Sequence, residues 1–170
     1  AKAATGADLD EVVRVANKAN DVTRTMGVAM SSATLPAKGD VIFELPDGDM
    51  EIGMGIHGEP GVRRGKIEEA DKVIDEIMAP ILADIPYVEG DEVYVLVNSL
   101  GATPLIDLHI CYRRVAQILE EKGIKVYKAL VGPFACSMDM AGMSVTLMKL
   151  DDELKELMDA PCDTPYFTQK

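Results

Sequence analysis

Positive charge is in short supply. Seventeen Lys and Arg face 29 Asp and Glu in 170 residues, for a formal net charge of -12. The longest basic blocks are the pairs Arg63-Arg64 and Arg113-Arg114. A protein that grips a nucleic-acid backbone or an anionic membrane needs a positive footprint. Neither is expected as a partner of the surface as a whole, although a local patch at Arg63, Arg64 and Lys66 stays open. Cysteine is scarce as well. Cys111, Cys136 and Cys162 are far apart, odd in number and form no C-x-x-C. That excludes a disulfide framework and fits a reducing compartment, so a cytoplasmic location is expected. His57 and His109 are the whole imidazole complement, with no paired ligand spacing, and no metal site is expected. No apolar run approaches the ~18 residues of a membrane span, and no internal repeat or low-complexity tract is visible. An initiator Met and a signal-peptide pattern are missing too. The opening "AKAATGADLDEVV" runs straight into helical periodicity, as a piece cut from a longer chain would.

What is present is a folding composition. Hydrophobic residues make up 48% and charged residues 27%, which is the balance of a globular protein. The length suits one domain with its own core, so residues 1–170 are expected to form a single domain. Asp8 or Asp10 can cap a first helix running to about Met26, with Val12, Val13, Val15, Ala16, Ala19 and Val22 on its apolar side and Gly27 as its stop. In "VIFELPDGDMEIGMGI", two β-prone runs flank Pro46-Asp47-Gly48-Asp49, which predicts a hairpin. A second helix is expected from near Ile67, with Ile67, Ala70, Ile74, Ile77, Met78 and Ile81 at helical spacing.

"DEVYVLVNSL" reads as a strand, and a third helix follows with Pro104 in its first turn and Gly123 at its end. "IKVYKALVG" and "SVTLMKL" read as strands around the loop "GPFACSMDMAG". "DDELKELMDAP" is a short last helix and "CDTPYFTQK" a tail. The order α-β-β-α-β-α-β-β-α predicts an α+β, two-layer fold: a mixed β-sheet with helices packed mainly on one face.

The stretch "GMGIHGEPG", residues 53–61, contains a literal G-x-G-x-x-G. In a dinucleotide site the third glycine opens a helix whose N-terminus binds pyrophosphate. Here Pro60 and Gly61 intervene, and helical spacing starts only near Ile67. "GVRRGK" also fails as a phosphate loop. Ile67 stands where Ser or Thr would hold Mg²⁺, and the glycine spacing is one residue short. Two readings remain. One is a tight turn with His57 as a hydrogen-bonding residue. The other is a glycine mount that lets something small approach His57, with Glu59 orienting the ring. A neutral imidazole nitrogen can act as nucleophile or base. The residues alone take the argument no further than that.

Five segments resemble the dihydroxyacetone-binding subunit of dihydroxyacetone kinase. They are "MEIGMGIHGEPGVRR", "NDVTRTMGVAMSSATLPAKG", "VNSLGATPLIDLHICYRRV", "VGPFACSMDMAGMSVTLMKLDDEL" and "DAPCDTPYF". They stand in the family's order and cover nearly the whole chain. The resemblance implies that His57 attacks the carbonyl of dihydroxyacetone and holds it as a covalent hemiaminal, with Gly55, Gly58 and Glu59 around the substrate. A ketone is selected over glycerol because only the ketone can be added to. The resemblance places no cofactor on this chain. ATP, or ADP recharged by a phosphotransferase system, would sit with Mg on a separate helical subunit or domain. It also implies a homodimer.

The family's first domain carries a G-G-G-S-G-H-E-P motif that is not found here. The resemblance is therefore to the second domain alone, which by itself is expected to be inactive. Some relatives of this kind regulate transcription without phosphorylating anything, which is the alternative function. Ser99, Gly101, Thr103 and the segment 132–142 are further candidates for the pocket, or else turn and capping residues. Cys111 is expected in the core and His109 at the surface or in packing. Arg113-Arg114 is expected on a solvated face or subunit contact. Asp151-Asp152-Glu153 is read as helix N-terminal charge.

Overall fold

In the computed structural model, which describes residues 1–170, the first helix stops earlier than its periodicity suggests. After a single 3-10 turn at Lys2–Thr5, α1 spans Leu9–Asp21 and is capped by Asp8, whose carboxylate accepts the Glu11 amide at 2.9 Å. Thr23–Ala29 is a strand, β1. Val22 and Met26 suit a helical period and a strand period equally well. The β-branched Thr23, Thr25 and Val28 favour the strand, and a long antiparallel partner decides the matter. Gly27 is thus buried within a strand and stops no helix. The apolar side of α1 is also more open than expected: Val15 is its one buried residue, while Val13 and Ala16 are exposed.

The hairpin is displaced. β2 (Asp49–Ile52) pairs not with residues 41–45 but with β3 (Arg63–Lys66), in the register Asp49 to Lys66 and Ile52 to Arg63. Val41 makes only an isolated bridge with Thr34. β3 carries no apolar alternation and so gives no strand signal. It is an edge strand, where charged side chains are the usual protection against further pairing. The glycine-rich stretch is therefore the loop of a hairpin. α2 (Ala70–Asp84) begins three residues after Ile67, whose amide extends the hairpin by donating to Gly48 O at 3.0 Å.

The remaining elements follow the sequence closely. β4 is Glu92–Ser99, α3 is Leu105–Glu121 with Pro104 ahead of it, and Gly123 turns the chain out at φ 67. β5 (Lys125–Gly132), β6 (Gly142–Leu150) and α4 (Asp152–Met158, capped by Asp151) come next. The tail is not featureless: β7 (Cys162–Asp163) and β8 (Thr168–Gln169) close a small hairpin.

One six-stranded sheet has the order β3-β2-β1-β6-β4-β5. Only β4 and β5 are parallel, joined by the α3 crossover. Val93, Val95 and Val97 of β4, Val145 and Leu147 of β6, and Ile52 of β2 bury one face against Ile74, Ile77 and Met78 of α2 and Leu108, Val115 and Leu119 of α3. On the opposite face, α4 and the end of α1 cover a smaller cluster at Tyr94, Leu150 and Leu154. This is the expected mixed sheet with its helices mainly on one side. Largely antiparallel pairing tolerates a partly wet face, and there the Thr25 and Thr146 hydroxyls hydrogen-bond at 2.8 Å.

The displaced hairpin can be checked by unfolding in urea. Leu147→Ala, in the shared core, is expected to cost about 2–5 kcal/mol. Val41→Ala, outside the sheet, should cost less than ~0.5 kcal/mol. Comparable losses would restore residues 41–45 to the sheet.

Candidate functional site

Gly53, at φ 81, turns the chain out of the sheet after β2. Met54 then drops into a cluster with Ala29, Ala33, Leu100 and Met140. Ala29 alternates with Val28, which faces α2 and α3, so this cluster and the loop 53–62 lie on the other side of the sheet. Within the loop a tighter turn closes: Gly58 N–H donates to Gly55 O at 3.0 Å, and Gly55 N–H to Glu59 O at 3.1 Å.

His57 rides on that turn, its side chain 80% exposed. Glu59 folds back under it. One carboxylate oxygen accepts the His57 amide at 3.1 Å, and the other lies 3.2 Å from Nδ1. Its own amide, and then the His57 amide and ring, hold the Glu59 carboxyl below the usual carboxylate range. An ionised Glu59 favours the proton on Nδ1 and leaves the Nε2 lone pair free. A Cβ at Gly55 would sit 2.0 Å from a Glu59 oxygen, so a side chain there would push the carboxylate away from the ring. The glycines thus answer to the packing of the loop itself, whatever clearance they also give.

Three loops meet at His57. Leu35 and Ile42, Ile56 and His57, and Cys136, Ser137 and Met138 line a cleft of about 290 Å³. Met138 is the one non-glycine residue at positive φ, 52°. The segment 132–142 therefore does reach the cleft, and buried Asn98 fixes it there. Asn98 Oδ1 accepts the Phe134 and Ala135 amides at 2.8 and 2.7 Å, and Nδ2 donates to Ala135 O at 2.8 Å. Asp139 accepts the Thr34 amide at 2.6 Å, and Ser31 Oγ the Ala141 amide at 2.8 Å, tying that segment to the loop after β1.

Other candidates are structural. Ser99 Oγ donates to Thr103 O at 2.9 Å, and Thr103 Oγ1 donates to Gly142 O at 2.7 Å. Gly101 leaves room for the Met138 carbonyl, which would lie 2.0 Å from a Cβ. Burial pushes the Cys111 thiol up to about 11, as suits a core residue, and His109 is exposed on α3. Arg113 and Arg114 pair with Asp71 and Asp75 of α2. Asp151 caps α4 and pairs with Lys18. The basic patch is neutralised: Arg63 pairs with Glu68 and Glu76, Arg64 with Glu51, and Lys66 with Asp49.

Sequence reasoning passed over Asn98 and Glu51. Each is a polar residue in an apolar strand, which is a signal, but their partners lie on segments whose placement only the fold reveals.

The Dak1 domain family model matches residues 1–166. The chain belongs to the Dak1 family. It is 58% identical over 165 residues to the dihydroxyacetone-binding subunit of PTS-dependent dihydroxyacetone kinase 2 from Listeria innocua, covering 97% of this chain and 50% of that subunit. The dihydroxyacetone kinase operon co-activator Dha-DhaQ superposes with a TM-score of 0.83 at 30% identity, over 91% of this chain and 48% of that one. The dihydroxyacetone kinase from C. freundii, solved with AMP-PNP and Mg²⁺, gives 0.80 at 28% identity, over 97% of this chain and 30% of that one. This Dak1 domain thus spans about half the length of the Listeria subunit. The resemblance to the dihydroxyacetone-binding subunit is borne out.

The His57–Glu59 contact is testable by ¹⁵N NMR of the histidine ring. In the unaltered chain Nδ1 is expected to carry the proton. Gly55→Ala, which displaces Glu59, and Glu59→Ala should both erase that preference. A ring indifferent to both changes would remove Glu59 from the site.

Proposed function

We propose that this chain is the substrate-tethering domain of a dihydroxyacetone kinase, corresponding to the second domain of the binding subunit. The observation that carries this is His57, exposed beside a cleft with Nδ1 against Glu59, in a chain whose relatives are kinase subunits. His57 Nε2 adds to the carbonyl carbon of dihydroxyacetone. A C–N bond forms and the C=O π bond opens. The former carbonyl oxygen takes a proton from solvent, and the Nδ1 proton passes by way of Glu59 back to solvent, leaving Glu59 ionised. The product is a neutral hemiaminal.

Glycerol offers similar hydroxyls but no carbonyl, so it is rejected by chemistry that hydrogen bonding alone would not supply. Tethering orients the terminal hydroxyl for phosphoryl transfer. No nucleotide is assigned to this chain. ATP, or ADP recharged by a phosphotransferase protein, sits with Mg²⁺ on a helical partner subunit or domain. The first domain supplies the base and the rest of the pocket, without which this domain is inactive. A homodimer in the cytoplasm completes the reading.

The likeness to Dha-DhaQ favours a second reading, a regulator that binds the same ketone and contacts a transcription factor. Both readings are tested in a chimera that joins this chain to the half of the Listeria subunit that it does not cover. With [2-¹³C]dihydroxyacetone, the ketone carbon should move to the tetrahedral range. His57→Ala should abolish the adduct and weaken binding on the order of a hundredfold. No adduct in the chimera would end the tethering reading. An adduct without phosphorylation, when the Listeria partner proteins are supplied, would select the regulator.

A further inference from the structure

Hairpin pairing between β2 and β3 ends abruptly at the base of the His57 loop. Val62 N–H still donates to Ile52 O, at 2.8 Å. One step further, Gly53 sends its amide away to Gly27 O of β1, at 2.7 Å. Gly61 then has no backbone carbonyl to meet, and its N–H goes to Glu51 Oε1 at 2.7 Å. A side chain at position 61 is impossible, because its Cβ would lie 2.3 Å from Ile52 O.

Glu51 is 6% exposed. A buried carboxylate is costly unless it is paired and hydrogen-bonded, and this one is both. Its second oxygen takes Arg64 Nε at 2.8 Å and Nη2 at 2.5 Å. Glu51 and Arg64 face each other directly in the strand register. Burial alone would raise the Glu51 pKa, but the Gly61 amide and Arg64 more than offset it and keep the carboxyl below its usual range.

One side chain thus joins the outgoing strand, the returning end of the loop and the edge strand. Between Gly61 and Glu59 there is only Pro60, whose ring fixes φ. A clamp on the Gly61 amide is therefore passed along a stiff link to the carboxylate that faces His57 Nδ1. Neither Glu51 nor Arg64 lines the His57 cleft.

We propose that Glu51, held by Arg64, is a positioning residue for His57: it fixes the returning end of the loop through the Gly61 amide and so sets where Glu59 holds the imidazole. Its catalytic consequence rests on the tethering role proposed above, but its geometric effect does not.

The test has two arms. In this chain, Glu51→Ala should speed amide exchange across residues 53–62 and erase the Nδ1 proton preference of His57, while amides of β4 and β6 stay protected. Glu51→Gln, whose amide oxygen can still accept from Gly61 although its Nε2 no longer accepts from Arg64, should restore part of both signals. Arg64→Ala should fall between them. In the chimera, the dihydroxyacetone adduct should drop on the order of tenfold or more in Glu51→Ala and recover in part in Glu51→Gln. Loop exchange and ring signals unchanged in Glu51→Ala would overturn the proposal. So would Glu51→Gln behaving no better than Glu51→Ala. If Glu51→Ala does not fold, Arg64→Ala carries the comparison, and an unaltered His57 ring there overturns the proposal equally. A loop that responds as described in a protein whose unaltered form makes no adduct would leave Glu51 its role and remove the tethering reading instead.

Discussion

The antiparallel pairing of β1 with β6 is the contact on which the other features depend. It runs the whole length of β1, from Thr23 opposite Met148 to Ala29 opposite Gly142. On one side of it lies the β2–β3 hairpin, and on the other the β4–α3–β5 crossover. These two units share no other strand pairing. The residues that come together are far apart in sequence, so closing them has a loop-entropy cost that the buried Val28, Met143 and Val145 must offset. The same pairing brings the site's loops to one place. Met30 and Ser31 donate their amides to Ala141 O just beyond the last register pair, at 2.7 and 3.2 Å. The loop that follows β1 is thereby laid against the loop that precedes β6.

That arrangement fixes the turn that carries His57. The imidazole is carried by a hairpin loop whose stem is clamped and whose inner turn is closed by glycines. The facing wall, Cys136 to Met138, is held by Asn98 and Asp139. Asn98 is buried, as is Glu51 at the stem, while Asp139 is exposed. Addition to a carbonyl needs a nitrogen at a defined distance and angle, and backbone amides fixed by buried polar side chains are a rigid way to provide it.

Helices and strands with strong periodicity were legible in the sequence: β4, α3, β5 and β6 lie where their residues place them. Misreadings fell where the period was ambiguous or absent. Thr23–Ala29 is short enough to continue a helical stripe, and only its partner strand makes it a strand. Arg63–Lys66 has no apolar residue at all, so nothing local marks it, and its pairing depends on a loop whose path is set by Gly53 and Met54. The tight turn was legible in the motif, where the Gly55, Gly58 and Glu59 spacing closes it around His57. Glu51 and Asn98 were not, because a polar residue in an apolar strand has meaning only once its distant amide partners are known.

The exposure of His57 carries a final implication. An imidazole in contact with water adds to a ketone in competition with hydration of that ketone, and gains little from preorganised surroundings. The cleft beside the ring is walled largely by Leu35, Ile42, Ile56 and Met138. Such apolar residues can exclude water from the carbon skeleton of a small ketone but cannot bind its hydroxyls. Tethering at useful concentrations therefore requires polar walls that close over the exposed side of the ring. The Listeria relative is about twice the length of the matched region, which is room for such a half. In the tethering role proposed above, this domain would contribute the bond and the other half the binding. A ketone could then be selected in two independent steps: by having a carbonyl that His57 can add to, and by having hydroxyls that the second wall can hold.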